Sequence, residues 1–280
     1  IFNHNVYFIY ITNLIERGNI YLRGSSFGSK HSSDSSSGFS NALLENNAYI
    51  ENGNTISFDS SSCPPDPAGN YTHHNMSVRN NVFTRTGRTL PNGNSSFGVW
   101  FRSVNNGTVE GNYYIDKPFG GTTFLVQTEG GTKDHRDVTV RNNTAYQWVN
   151  PAITLNNVVN PVVENNDIDL PASTYVDASR TIASYDSLIG GAGSIPSFAQ
   201  GAKQQSKYNW RTEYTADAFN DYIRQGFATI QLAECNDGID NDNDGLVDWQ
   251  YDLGCYGSSD NTEGGLNNQL DNGWTVFEPT

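Results

Sequence analysis

The stretch Val140-Arg141-Asn142-Asn143 is one copy of a motif that recurs along the first two thirds of the chain. The other copies share its order of an aliphatic residue, a charged residue, Asn or Gly, and Asn: Leu44-Glu45-Asn46-Asn47, Val78-Arg79-Asn80-Asn81, Val109-Glu110-Gly111-Asn112 and Val163-Glu164-Asn165-Asn166, with a looser copy at Ile15-Glu16-Arg17-Gly18-Asn19. The charged positions 16, 45, 79, 110, 141 and 164 are 29, 34, 31, 31 and 23 residues apart. A variable period around a constant motif is typical of a β-solenoid, because its strands stack in register while its corners accept loops of any length.

Two columns of side chains are expected from this stacking, since equivalent residues of successive coils lie about 4.8 Å apart. The first column is charged and alternates in sign after its first pair: Glu16, Glu45, Arg79, Glu110, Arg141 and Glu164. The second column consists of asparagines that tolerate a left-handed corner and bond along the stack: Asn47, Asn81, Asn112, Asn143 and Asn166. Facing opposite charges stabilise a sheet, so we interpret the charged column as structural and not as catalytic pairs.

The motif copies resemble the right-handed parallel β-helix, or pectate lyase-like, superfamily over about residues 1–190. This resemblance implies an all-β fold, a right-handed parallel β-helix solenoid, which hosts lyases, hydrolases, epimerases, tailspikes and adhesins. We predict a β-helix over residues 1–200, a helical cap or linker over 201–230 and an acidic tail over 231–280.

A short amphipathic helix is predicted after the repeats, with Thr215 as its N-cap and Gly226 as its stop. Asp217 suits its first turn and Arg224 its last turn. Its expected apolar face consists of Ala218, Phe219, Tyr222 and Ile223. Such a helix would seal the C-terminal end of the solenoid or pack along it, and a partner-binding helix is the alternative.

The tail contains a stretch that predicts calcium binding. From Asp240 to Asp248, carboxylates occupy positions 1, 3, 5 and 9 of a loop with glycine at position 6, and hard oxygen ligands in a tight turn suit Ca²⁺. The predicted ligands are Asp240, Asp242, Asp244, Leu246 and Asp248. A solvated acidic loop is the alternative. Tyr251 stands at position 12, where an EF-hand has a bidentate glutamate.

The segment from Cys235 to Cys255 resembles the thrombospondin type 3-like calcium repeats of secreted bacterial proteins. The two cysteines bracket the acidic loop, and a disulfide between them would close about 20 residues and stabilise the tail by roughly 3 kcal/mol. A disulfide implies an oxidising compartment, so we expect a secreted, extracellular bacterial protein. The third cysteine, Cys63, is free or has a partner elsewhere.

Composition and charge exclude several classes of function. The 280 residues carry 16 basic and 30 acidic side chains, a net charge of −14, which disfavours nucleic acid as a partner. No stretch approaches the roughly 18 consecutive apolar residues of a membrane span. Eleven of the acids and none of the bases lie from Glu234 onward, so the repeat region is nearly neutral and the tail is strongly acidic.

Chemistry is expected on a lateral face, where the loops of such a fold border a groove for an extended polymer. Lyases of the β-helix superfamily that this chain resembles use Lys, Arg or His as the base, and Arg or Ca²⁺ neutralises the carboxylate of the uronate substrate. The predicted catalytic residues are Lys133, His135 and Arg136, and the predicted substrate-binding residues are His73, His74, Arg102 and Lys117. Because His73 and His135 both precede the motif's charged position by six residues, a structural role for them is the alternative.

Two classes of function remain open at this point. The first is a secreted enzyme that acts on an extracellular acidic polysaccharide or cell-surface glycan, and the type of enzyme that we predict is a polysaccharide lyase. The second is a non-catalytic extracellular protein for adhesion, surface structure or filament assembly, with self-association as its partner interaction. The motif columns alone do not identify a site.

Overall fold

The computed structural model describes residues 4–32, 39–59, 73–87, 96–115, 123–130, 135–146, 152–168, 177 and 179–227. The chain divides into two units, Ile1–Ala228 and Thr229–Thr280, and all described residues belong to the first. Within these residues no helix is long and apolar enough to cross a membrane.

The described strands form three sheets of short parallel strands. Sheet A consists of β1 (Val6–Ile9), β4 (Phe27–Ser32), β7 (Asn54–Asp59), β10 (Ser96–Phe101), β13 (Thr123–Thr128) and β16 (Ala152–Thr154). Sheet B consists of β2 (Thr12–Arg17), β5 (Phe39–Glu45), β8 (His73–Arg79), β11 (Val104–Glu110) and β14 (His135–Arg141), with β17 (Val158–Val159) and β18 (Val162–Glu164) both beside β14. Sheet C consists of β3 (Ile20–Leu22), β6 (Ala48–Ile50), β9 (Val82–Thr84), β12 (Tyr113–Ile115) and β15 (Thr144–Tyr146).

Consecutive strands belong to different sheets, and each sheet pairs every third strand of the chain in parallel. The described part therefore forms a parallel β-solenoid of five coils that contribute to all three sheets, followed by part of a sixth. This arrangement confirms the all-β solenoid predicted from the motif copies.

The charged column forms, but it begins one residue later than predicted. Glu45 Oε2 lies 2.6 Å from Arg17 Nε, and Glu45 Oε1 lies 2.5 Å from Arg79 Nη2. Glu110 is in register with Arg79 and lies 2.8 Å from Arg141. The assignment of Glu16 to this column was wrong: the extra residue in the looser motif shifts the register, so Arg17 faces Glu45. With Arg17, the column alternates in sign from its first member.

The asparagine column bonds along the stack as expected. Asn81 Oδ1 accepts hydrogen bonds from the backbone N–H and the side chain of Asn47, and Asn81 Nδ2 donates to Asn112 Oδ1. The same pattern repeats at Asn112 and Asn143. The residue that precedes each bonding asparagine has the left-handed backbone conformation. These residues have φ between 47° and 67°: Gly18, Asn46, Asn80, Gly111, Asn142 and Asn165. Our expectation that the bonding asparagines occupy the left-handed corner was therefore wrong.

A second asparagine ladder lies on the exposed face of sheet B. Asn41 donates to Asn13, Asn75 donates to Asn41, and Asn106 donates to Asn75, with distances of 2.8–2.9 Å. These residues also have left-handed φ angles of 57–63°. Because this ladder is solvent-exposed, it provides a comparison for the buried one.

The interior is filled by columns of apolar side chains. Tyr21, Tyr49, Phe83 and Tyr114 stack from coil to coil with ring centroids 4.8, 5.1 and 4.5 Å apart. These spacings match the separation of neighbouring strands. Aliphatic residues fill the sheet B side of the interior, each fully buried: Leu44, Val78, Val109 and Val140.

Three helices follow the strands: α1 (Ile182–Leu188), α2 (Ile195–Lys203) and α3 (Ala216–Arg224). Helix α3 confirms the predicted helix, since the Thr215 side chain accepts from the Ala218 N–H. Its buried residues are Ala216, Phe219, Asn220 and Ile223, so the buried face is rotated from the predicted one. The helix packs along the solenoid, where Asn46 bonds to Asp217 and Asn220.

Candidate functional site

Sheet A is the face whose connections vary in length. Two residues connect sheet B to sheet C in each of the five coils, at positions 18–19, 46–47, 80–81, 111–112 and 142–143. In contrast, the segments outside the described residues within these coils all belong to connections that enter or leave a strand of sheet A: 33–38, 60–72, 88–95, 116–122 and 131–134. Variable connections beside a regular sheet commonly carry function. The exposed side of sheet A is therefore the candidate functional surface.

A network of four charged residues lies along one side of this surface. Asp59 accepts from Lys30 at 3.0 Å and from Arg102 Nη1 at 2.6 Å. The Arg102 guanidinium also forms a two-point contact with Glu129, in which Nη2 donates to Oε1 at 2.7 Å and Nε donates to Oε2. The network connects four successive coils, and its two positive and two negative charges cancel.

The pKa values of Asp59 and Arg102 are both shifted in the direction that favours the charged form. Burial opposes the charge of Asp59, but the hydrogen bonds from Arg102 and Lys30 outweigh it and lower the pKa of the carboxyl group. The hydrogen bond with Glu129, assisted by Asp59, raises the pKa of the Arg102 guanidinium. The network thus holds fixed, charged hydrogen-bonding groups beside sheet A.

Aromatic rings lie next to the network. Trp100 stacks on Phe97 at 5.3 Å and on Phe27 at 6.4 Å between ring centroids, in both cases nearly parallel. The Arg102 guanidinium lies over the Trp100 ring at 5.1 Å, and Lys30 lies 5.4 Å from the ring centre of the exposed Tyr7. Trp100 is half-buried, so one part of its ring is open to solvent. We call Tyr7, Phe27, Lys30, Asp59, Phe97, Trp100, Arg102 and Glu129 the sheet A surface.

Of the residues predicted to bind substrate, Arg102 belongs to the sheet A surface. His74 is half-buried and faces outward on sheet B, where it shares a column with Asn105 and the exposed Arg136. Lys117 and Lys133 lie outside the described residues. The structure therefore places Arg102 at the end of a sheet A strand, and His74 and Arg136 on the adjoining sheet.

His73 and His135 point into the solenoid and are fully buried. His135 Nε2 donates to the backbone carbonyl of Glu129 at 3.0 Å. This hydrogen bond helps to hold Glu129, whose side chain binds Arg102. His135 and Arg136 are adjacent in β14 and point to opposite faces, as neighbours in a strand do. A catalytic set of Lys133, His135 and Arg136 stays a prediction; of its two described members, His135 is buried and Arg136 is exposed to solvent.

Burial lowers the pKa of His73 to about 3, from 6.5. The unfolded chain therefore binds a proton that the folded chain excludes, and stability should fall as the pH drops from 6.5 towards 3 by about 1.4 kcal/mol per unit. We expect His73→Val to remove this slope, because valine occupies the facing position 104. Urea unfolding of both proteins across this pH range measures the slope, and equal slopes would contradict the assignment.

A polar cluster inside the first two coils is not evident from sequence patterns. Glu16 accepts hydrogen bonds from Ser29, at 2.8 Å, and from Tyr21 and His31, and Ser29 Oγ lies 3.1 Å from His31 Nε2. His31 Nδ1 lies 3.2 Å from the Ser57 carbonyl. In a hydrolytic triad the acid and the nucleophile bond to different nitrogens of the histidine ring. Here Glu16 and Ser29 both contact Nε2 of His31. All members are buried, so this cluster has a structural role.

The predicted calcium ligands Asp240, Asp242, Asp244, Leu246 and Asp248, and the predicted disulfide between Cys235 and Cys255, lie outside the described residues. The described residues contain no group of three or more His, Cys, Asp or Glu residues placed to hold a metal ion. The calcium site and the disulfide stay predictions.

Comparisons of the chain with protein-family models, with curated proteins and with solved structures found no match.

Proposed function

We propose that this protein is a secreted solenoid that acts on an extracellular acidic polysaccharide at the sheet A surface, as a polysaccharide lyase. The single observation that carries the proposal is the position of Trp100, which is half-buried, stacks on Phe27 and Phe97 and has the Arg102 guanidinium over its ring. An aromatic ring packs against the apolar face of a sugar ring, and fixed charged groups bond to its hydroxyl and carboxylate groups.

The charge pattern of the surface supports an extended polymer. Charged groups from four coils follow the solenoid axis, and the exposed ring of Tyr7 and the half-buried ring of Trp100 are on the same side of the sheet. Each coil adds about 4.8 Å, so this surface would contact several sugar units in a row. In this proposal the polymer extends from the sheet A surface to the start of β14 on sheet B, where Arg136 neutralises a uronate carboxylate. Lys133 is the base that removes the C5 proton of that unit; the C4=C5 double bond forms as the C4–O4 bond to the next unit breaks, and the leaving oxygen takes a proton from solvent. Bound Ca²⁺ and a disulfide in the tail are part of the same proposal for an extracellular protein.

We expect Trp100→Ala to weaken binding of the cleaved polysaccharide by about tenfold or more. Replacement of this half-buried ring removes both the sugar-packing surface and the contact that orients Arg102. The measurement is ultraviolet absorbance of the unsaturated product with alginate, pectate and chondroitin as substrates, together with affinity electrophoresis on the same polymers.

Leu188→Ala is the matched control, because Leu188 is 69% exposed on α1 and does not belong to the sheet A surface. The control should retain native activity and binding. The proposal is contradicted if the native protein neither binds nor cleaves any of the three polymers, or if Trp100→Ala behaves like the control.

A non-catalytic structural protein is the second candidate. Its support is the exposure of aliphatic side chains in the last described coil, where Val159, Val162 and Val163 are 40–52% exposed. Val163 occupies the interior position filled by Val140 in the coil before it. Self-association through this end would form filaments of stacked solenoids. Concentration-dependent filaments in electron micrographs, lost in Val163→Glu, would favour this candidate over the enzyme.

A further inference from the structure

The segment after α2 presents an exposed tryptophan at the edge of a depression of about 300 Å³. Trp210 is 60% exposed, and the depression is also lined by the amides of Gln204, Gln205 and Asn209 and by Arg211 and Tyr214. The volume is at the small end of the range of ligand pockets. An aromatic ring surrounded by amide groups and a cation is a combination that suits saccharides.

Hydrogen bonds of its own side chains hold this segment in place. Gln205 Oε1 accepts from the Arg211 N–H at 2.7 Å, and Gln205 Nε2 donates to the Gly201 carbonyl at 3.0 Å. Asn209 Nδ2 donates to the Gln204 carbonyl at 2.9 Å. These contacts fix the backbone on both sides of Trp210. A ligand would therefore meet a preorganised backbone at Trp210, which lowers the entropy cost of binding.

The wall of the depression depends on a close approach between Gly201 and Tyr214. A Cβ atom at position 201 would lie 2.2 Å from the Tyr214 hydroxyl oxygen, so any larger residue would displace the ring. The Arg211 guanidinium lies over the same ring at 5.2 Å and donates to the Ile189 carbonyl at 2.9 Å. Tyr214 and Arg211 are thereby held against α2.

The surroundings are positively charged, although the whole chain has a net charge of −14. Residues 203–211 include Lys203, Lys207 and Arg211 and no acidic residue. A larger cleft of about 740 Å³ shares Gln204 with the depression and is lined by Lys203 and Arg23. Arg23 lies 2.8 Å from Glu51, but Glu51 also pairs with Arg85, so this group keeps an excess positive charge.

We propose that the Trp210 depression and the adjoining cleft form a binding site for a short anionic saccharide. One sugar ring packs on Trp210, its hydroxyl groups bond to the amides of Gln204 and Asn209, and a carboxylate or sulfate group on the next unit faces Lys203 and Arg23. This site is separate from the sheet A surface, and the proposal does not depend on cleavage there. The Trp210 site would bind a polymer or its fragments without catalysing a reaction.

The test is isothermal titration calorimetry of the full chain with four probes: trigalacturonate, trimannuronate, a chondroitin sulfate tetrasaccharide and neutral cellotriose. The titrations use the Trp100→Ala background, in which binding at the sheet A surface is expected to be weakened, and the Trp210 variants identify the binding that remains. We expect binding of at least one anionic probe, weaker binding at higher salt, and no binding of cellotriose. Comparison of the two uronates with the sulfated probe shows whether the site binds a carboxylate group or a sulfate group.

Trp210→Ala should weaken binding of the anionic probe by about tenfold or more, and Trp210→Phe should retain most of it. Tyr208→Ala is the matched control, because Tyr208 is 86% exposed in the same segment and lines neither cavity. Native-like thermal unfolding of all three variants excludes misfolding. The proposal is overturned if no anionic probe binds, if cellotriose binds equally well, or if Trp210→Ala and Tyr208→Ala have the same affinity.

Discussion

Either single substitution Glu16→Leu or His31→Phe is expected to destabilise the solenoid by about 3–5 kcal/mol, since each leaves the other partner of a buried, hydrogen-bonded pair without its contact. Glu16 occupies the interior position that is filled by Leu44 in the next coil, and His31 occupies that of Phe58. After Glu16→Leu, the hydroxyl groups of Ser29 and Tyr21 also lose their acceptor in an interior closed to water.

The double variant Glu16→Leu/His31→Phe should be less destabilised than the sum of the single variants, with a coupling of about 2–3 kcal/mol. It replaces both polar side chains by the residue types of the following coil. Addition of Ser29→Val and Tyr21→Phe removes the two remaining hydroxyl groups and should return stability close to the native value. Urea unfolding of the set gives the free energies, and strictly additive losses would contradict a coupled pair.

The pH dependence of the same pair follows from the direction of its pKa shift. Burial opposes ionisation of Glu16, but the facing His31 and the hydrogen bonds from His31, Tyr21 and Ser29 lower its pKa below 4.5. A carboxylate with a lowered folded-state pKa stabilises the fold above its unfolded pKa, and this contribution is lost as the pH falls through the folded value. The native chain should therefore lose this stabilisation only in acid, and Glu16→Leu should lack that step.

Asn81→Ala is the second substitution with a large expected effect, a loss of more than about 3 kcal/mol. Asn81 is fully buried, and its amide satisfies the backbone carbonyls of Leu44 and Arg79 as well as two neighbouring asparagines. Without that amide, several polar groups at one corner remain buried and unpaired. Position 81 does not have a left-handed φ, so alanine adds no backbone strain there.

Asn75→Gly is the matched control for the buried ladder. Asn75 makes two comparable amide contacts, but it is exposed, so water can replace them. Glycine also accepts its φ of 58° without strain. We expect the control to cost less than about 1 kcal/mol. Thermal and urea unfolding compare the two variants, and equal losses would show that the corner amides are not the source of stability.

The solenoid was predictable because its motif lies where the connection length is constant. Two residues always separate sheet B from sheet C, so the aliphatic, charged and asparagine positions stay in phase. The prediction failed at the looser copy, where the identity of Glu16 matched the motif but its register did not. The pairing of Arg17 with Glu45 and the burial of Glu16 show that Glu16 points inward.

The sheet A surface could not be assembled from the sequence. Lys30, Asp59, Arg102 and Glu129 are separated by 29, 43 and 27 residues and share no local motif, because the insertions beside sheet A change the spacing in every coil. Arg102 was predicted as a substrate-binding residue, but its carboxylate partners were not. Signals for α2 were present in Ser194 and Pro196, which suit a helix start, although the surrounding Ser and Gly residues indicated irregular chain.

Disulfide trapping between coils tests the stacked register most directly. Thr108 and Thr139 face each other on neighbouring strands, so cysteines at these positions, with Cys63 replaced by serine, lie within the distance that a disulfide requires. Cysteines at Thr108 and Asp137 are offset by two residues and lie beyond that distance. We predict rapid bridging of the first pair and little bridging of the second under mild oxidation. Equal bridging of both pairs, or preferential bridging of the offset pair, would contradict the coaxial stack on which the proposed sites depend.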